Sequence, residues 1–124
     1  MENAMNEVRT ANEVRDFEDD LGYMLSKVNR KAKYTFPLTF DKGLRDVSIA
    51  ELKLSQRAVN VLCRNKIDSL GLLMDKIERL NLLRNCGETT SKEIKNAFLQ
   101  YWYNYIDEED VSKFWENFMI TNFS

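Results

Sequence analysis

The chain has 124 residues, 44% apolar and 31% charged, with 18 basic and 20 acidic side chains, four glycines, one proline and no histidine. That is the size of one domain, able to bury roughly two-thirds of the surface its unfolded form exposes, and the scarcity of turn and strand breakers predicts helices joined by short loops. Lack of His excludes the usual zinc ligand sets and the commonest general base, and Cys63 and Cys86 lack CxxC spacing, so no metal, cofactor or enzymatic activity is expected.

No window approaches the roughly 18 consecutive apolar residues of a membrane span. The first twenty residues lack the basic and then apolar sections of a signal peptide, which predicts a cytoplasmic protein without a membrane partner. Val14, Phe17, Leu21, Met24 and Val28 recur at spacings of 3 and 4, predicting an amphipathic helix over about 7–31, with Arg15, Glu18, Asp19, Asp20 and Lys27 facing away from the apolar stripe. Its apolar face is expected to pack on the chain's own core. A dimer seam is the alternative, and the oligomeric state stays open. The basic end, Arg30, Lys31 and Lys33, suits the negative end of the helix dipole. Residues 34–40 alternate apolar and polar around Pro37 and predict an extended, buried linker, closing an amino-terminal section of 1–41.

A central domain over 42–98 follows, read as short helices. Ser48 opens a turn, Ser55 caps a helix carrying Ala58, Val59, Leu62 and Cys63, and Asn65-Lys66-Ile67 ends it. Asp68 or Ser69 caps the next, with Leu72, Leu73 and Ile77 expected in the core. A turn holding Leu80, Leu82 and Leu83 leads to Arg84-Asn85-Cys86-Gly87, where Gly87 is the residue expected to take positive φ. Thr89, Thr90 or Ser91 is the expected cap of the helix running through Ile94, Ala97 and Phe98.

Residues 99–124 form an aromatic extension, and nine of the fourteen aromatic side chains lie after Asn96. Phe98, Tyr101, Trp102 and Tyr105 make one helical stripe. Asp107 to Asp110 then start a second helix with Val111, Phe114, Trp115, Phe118 and Met119, both expected to pack on the amino-terminal helix and linker. Charge divides the chain in the same places: 6 basic and 8 acidic groups over 1–41, 11 and 7 over 42–95, and 1 and 5 over 96–124. A phosphate backbone would therefore meet the central domain and be repelled by the carboxyl terminus.

The central residues resemble a known family. Leu52-Lys53-Leu54-Ser55-Gln56-Arg57-Ala58-Val59-Asn60-Val61-Leu62, then Ile67-Asp68-Ser69-Leu70-Gly71-Leu72-Leu73, then Leu83-Arg84-Asn85-Cys86-Gly87-Glu88-Thr89-Thr90-Ser91-Lys92-Glu93-Ile94-Lys95 are similar, in order and spacing, to the C-terminal domain of the bacterial RNA polymerase alpha subunit. The resemblance covers roughly fifty residues. It implies an all-α bundle of short helices related to the helix-hairpin-helix motif, which binds the minor groove of A/T-rich double-stranded DNA and meets transcription-related proteins. Carried over, Arg57 would enter the groove with Asn60 supporting it, while Asn85, Gly87 and Thr90 would hold phosphates.

Departures accompany the match. Glu88 and Thr89 stand where the family commonly has two lysines, Cys63 replaces another, and Lys53 puts a cation on the face that meets sigma factor. Weaker DNA affinity follows. The chain is too short for the alpha subunit's large assembly domain, so the expectation is a stand-alone, non-enzymatic, transcription-associated DNA-binding protein; the alternative is a protein-interaction module that kept the fold and lost DNA binding.

Overall fold

In the computed structural model, residues 15–27 and 34–123 are described. Among these residues six α-helices follow one another: α1 Phe17–Leu25, α2 Lys42–Arg45, α3 Gln56–Arg64, α4 Leu70–Lys76, α5 Glu88–Tyr105 and α6 Glu108–Phe123. Two 3₁₀ segments, Ile49–Glu51 and Ile77–Leu82, complete the described secondary structure. Polar side groups explain most of the helix starts. Asp16, Asp41, Ser55 and Ser69 each accept a hydrogen bond from the backbone N–H three residues on, meeting one of the donors a helix start leaves open. The described residues hold no strand, only a bridge in which Ile49 N–H donates to the Asp68 carbonyl and Leu70 N–H to that of Val47.

Helix α2 was not anticipated from the sequence, and it explains Gly71. A Cβ at Gly71 would come within 2.9 Å of Arg45 Cβ, so glycine lets α2 lie directly on α4, where Arg45 pairs with Asp75. Residues Leu70 and Leu73 take the inward face of α4. Leu72, expected in the core, is instead 43% exposed, because at about 100° per residue it points roughly 130° away from the direction that Leu70 and Leu73 share.

Helix α5 runs unbroken through residues 98 and 99, where the sequence divides by composition. Its buried positions Thr90, Ile94, Phe98, Leu99, Trp102 and Tyr103 form one stripe whose first half faces α3 and the Ile77–Leu82 segment and whose second half faces α1. Residues 34–40 are extended, as predicted, and half-buried rather than fully buried. Trp102 Nε1 donates to the Thr39 carbonyl at 2.9 Å, Phe40 stacks on Phe98, and the Asn122 amide both donates to and accepts from the Thr35 backbone.

The aromatic extension closes on the amino-terminal helix, as its spacing implied. Phe17 meets Tyr103, Phe114, Trp115 and Phe36 with ring centroids 5.3–6.1 Å apart, edge to face with Tyr103 and Phe36 and stacked on Trp115. Helix α1 is shorter than the predicted 7–31, since Asp16 is extended at φ −108° and caps a helix that ends at Leu25, with Ser26 as its C-cap. The ends of that prediction, with Val14, Val28, Arg30, Lys31 and Lys33, lie outside the described residues.

Two charged residues expected to face solvent do the opposite. Asp20 is buried and accepts a hydrogen bond from the Tyr103 hydroxyl, which itself accepts from Trp115 Nε1 at 2.8 Å. Arg15, its side chain 11% exposed, donates to the Tyr103 and Ile106 carbonyls at the end of α5 and pairs with Glu108 at 3.0 Å. The Ile106 carbonyl belongs to the C-cap of α5, so the guanidinium meets acceptors that the helix end leaves open. Gln100 and Asn104 finish the joint, each donating to the Arg15 carbonyl while accepting from the backbone N–H of Phe17 and Arg15 respectively.

Tyr103→Phe keeps the ring and removes the hydroxyl linking Asp20 to Trp115, leaving the buried indole donor without that acceptor. The expected loss is about 1–3 kcal/mol in urea unfolding, with little change in the m-value.

Candidate nucleic-acid interface

Helix α3 lies alongside the start of α5, held at both ends by polar contacts that periodicity does not disclose. At its amino end, Ser55 N–H and Oγ–H donate to the two Glu93 carboxylate oxygens at 2.6 and 2.8 Å, while Ser55 Oγ accepts from Ala58 N–H. At its carboxyl end, Asn65 Oδ1 accepts from Arg84 N–H at 3.3 Å, and Asn65 Nδ2 donates to the Arg84 carbonyl at 3.2 Å and to that of Val61 at 2.8 Å. Between these anchors Ala58, Val61 and Leu62 are buried, so the opposite face of α3 is the one presented outward.

Arg57 and Asn60 share that outward face. Asn60 Oδ1 accepts from Gln56 Nε2 at 2.9 Å, which orients its amide. Arg57 has no ion-pair or side-chain hydrogen-bond partner among the described residues. It occupies the first turn of α3, which holds no acid. A cation there opposes the positive end of the helix dipole, at a cost of about 0.3–1 kcal/mol, so helix stability does not account for Arg57.

The Leu83–Cys86 segment is a β-turn closed by Cys86 N–H donating to the Leu83 carbonyl at 3.1 Å. Asn85, not Gly87, takes the left-handed conformation, at φ 62°, while Gly87 sits at φ −78°. Asn tolerates this region better than other non-glycine residues because its short amide bonds locally, and the third position of the turn requires it. Gly87 is the N-cap of α5, which corrects the expected cap at Thr89, Thr90 or Ser91. Neither φ nor packing demands a glycine there, since an added Cβ would meet nothing within 4 Å.

The start of α5 has no capping side group, and the first intrahelical bond runs from Ser91 N–H to the Gly87 carbonyl. The amides of Glu88, Thr89 and Thr90 are thus the open donors of an 18-residue helix, the arrangement that suits an anion. Thr90 is 6% exposed, so its hydroxyl is not presented at this start, and what it can contribute there is its open backbone N–H. Glu88 opposes an incoming anion, partly offset by Lys92 at 3.7 Å, although both side chains are exposed and the pair is weak.

The structure thus gathers Arg57 and Asn60 on one helix face, and Asn85, Gly87 and Thr90 on the adjoining turn and helix start. Ser55, Glu93 and Asn65, which hold the two parts together, were not recognised in that role from the sequence. Ser55 showed as a cap, but its partner lies 38 residues away. Asn65 is followed by Lys66 at φ 60°. Lys66 N–H donates to the Cys63 carbonyl and Ile67 N–H to that of Leu62, the pair of bonds that ends a helix when C′ is left-handed.

The described residues contain no group of three His, Cys, Asp or Glu side chains placed to hold a metal, and none of their helices is long and apolar enough to cross a membrane. Cys63 is exposed; Cys86 is buried, and that burial pushes its thiol pKa up. Residues 40–100 match the family described as the C-terminal domain of the alpha chain of bacterial RNA polymerase. No curated protein and no solved structure matches the sequence.

Two outcomes are expected. With a thiol reagent at neutral pH, Cys63 labels rapidly and Cys86 mainly on unfolding, as mass spectrometry of the labelled peptides would show. Lys66→Gly removes a left-handed lysine and raises stability by about 1 kcal/mol, read as a higher denaturation midpoint.

Proposed function

Because residues 40–100 belong to the family of the bacterial RNA polymerase alpha C-terminal domain, we propose that this protein is a non-enzymatic, transcription-associated one that contacts the minor groove of A/T-rich DNA. In this reading Arg57 enters the groove. Asn60 stands beside it on the same face of α3, and the turn at Asn85, the open Gly87 and the backbone N–H of Thr90 take the neighbouring phosphates.

The observation that carries the proposal is Arg57 itself, an exposed guanidinium, unpaired among the described residues, at the end of α3 where the helix dipole disfavours it. A narrow A/T-rich minor groove has enhanced negative potential and attracts Arg, and a partner of that kind supplies the charge that the fold withholds. Gly87 supports it, as a residue without a side chain where none would clash. Glu88 works against it. It favours the helix dipole of α5 while weakening anion binding, so the affinity should be modest.

A second reading, a protein-interaction module, draws on a different surface. Glu18, Glu51, Ala97 and Tyr101 border an open groove of about 690 Å³ between α1, the Ile49–Glu51 turn and α5. Neither acid has an ion-pair partner among the described residues, so a basic protein segment suits this groove better than DNA does.

Fluorescence anisotropy with labelled A/T-rich and G/C-rich duplexes, at low and physiological salt, separates the readings. The expected result is tighter binding to the A/T-rich duplex, loss of affinity with salt, and about tenfold weaker binding by Arg57→Ala, equivalent to roughly 1.4 kcal/mol. Absence of binding to either duplex at low salt would reject the DNA reading and favour the protein-interaction one.

A further inference from the structure

The outward stripe of α3 does not end at Asn60. Arg64 lies at i+7 from Arg57, one step further along the same face and about 10 Å away along the axis. It is exposed and has no ion-pair partner among the described residues. Immediately beyond it the backbone makes two left-handed corners side by side. Lys66 at φ 60° follows Asn65, and Asn85 at φ 62° follows Arg84, while the Asn65 side chain bonds both the N–H and the carbonyl of Arg84. One asparagine therefore fixes Arg64, Lys66 and Arg84 around a single corner.

All three cations are exposed and none is paired within the described residues. The acids around them are otherwise engaged or do not reach them. Glu88 pairs with Lys92, Glu78 with Lys95 and Asp75 with Arg45, and no ion pair joins the exposed Asp68 to the cluster. The corner is also built against local preference. The C′ position after a helix usually takes Gly or Asn, and here it holds lysine, an unfavourable choice for the backbone that adds a third cationic residue at the corner where Asn65 bonds Arg84. Strained residues of this kind concentrate where a surface contacts a ligand.

We infer that Arg64, Lys66 and Arg84 form a second phosphate-contacting cluster, which extends the DNA-binding face from Arg57 down the length of α3 to the corner fixed by Asn65. This rests on the reading of that face as a DNA contact. The cluster supplies affinity without sequence preference, through consecutive phosphates of the duplex backbone, and Arg57 supplies the preference for A/T-rich sequence. Continuity with the Arg57 stripe favours a duplex over an isolated anion, because a free phosphate needs no row of cations running along a helix.

The test uses the full-length protein and the same A/T-rich duplex, titrated over a range of salt. The Arg64→Ala/Lys66→Ala/Arg84→Ala variant should bind more weakly, and its plot of log affinity against log salt should be shallower by about 2–3, since removing one phosphate-neutralising cation lowers the slope by about 0.9. Its preference for A/T over G/C should be unchanged, whereas Arg57→Ala should reduce that preference. Lys66→Gly separates binding from folding: thermal melting should show it more stable than the wild type while it binds the duplex less tightly, an outcome that no purely structural role for Lys66 predicts.

A wild-type slope and affinity retained by the triple variant overturn this inference while leaving the Arg57 reading standing. No duplex binding by the wild type at low salt overturns both. Polyglutamate competing as well as duplex at equal charge would also overturn it, by reducing the cluster to a general anion patch.

Discussion

Helix α5 is the constraint on which the rest of this molecule depends. Its 18 residues bury one continuous stripe, from Thr90 at the start to Trp102 and Tyr103 near the end, and no neighbour covers all of it. Helix α3 and the Ile77–Leu82 segment cover the first part. Helix α1, with the aromatic residues of α6, covers the second. At about 27 Å the helix is too long for the central domain alone to shield, so Trp102 and Tyr103 would face water without the flanking sections. Burial of such large side chains is worth several kcal/mol, which makes the flanks part of the fold rather than appendages to it.

The joint at the far end of α5 is polar as well as aromatic. Arg15, Gln100 and Asn104 exchange hydrogen bonds across the seam, and Asp20 reaches the Tyr103 hydroxyl within the aromatic cluster. Aromatic rings alone permit several packings of similar energy. Buried polar groups permit few, because each misplaced donor or acceptor costs about 1–3 kcal/mol, and the seam thereby selects one register for α1 against α5.

At the opposite end of the same helix, stability and the proposed DNA contact pull in different directions. Glu88 and the dipole of α5 agree, while Glu88 and an approaching phosphate do not. On α3 the balance is reversed: Arg57 opposes its helix dipole, and Lys66 takes a backbone conformation that glycine would hold more easily. Such conflicts between local preference and observed residue gather on one face of the domain, the face made by α3, the Asn85 turn and the start of α5.

The sequence by itself determined what depends on near neighbours along the backbone. Spacings of 3 and 4 among apolar residues marked α1, α3, α5 and α6, Ser55 and the pair Asp68-Ser69 marked helix starts, and three motifs in order marked an all-α domain read as 42–98, within the 40–100 that match the family. These signals are local, since a helix is built from bonds between residues four apart. Tertiary structure decided everything that requires two distant segments to meet. Asp20 and Arg15 read as solvent-facing because their partners lie more than eighty residues away, in α5 and beyond it. Leu72 read as core because a run of apolar residues does not say which of them the neighbouring helix covers. Gly87 read as the left-handed residue because glycine pays least there, but closing the Leu83–Cys86 turn assigned that conformation to Asn85. The candidate interface shows the same division: its residue types were visible in the motifs, while the bonds of Ser55 with Glu93 and of Asn65 with Arg84, which bring them onto one face, exist only in the folded protein.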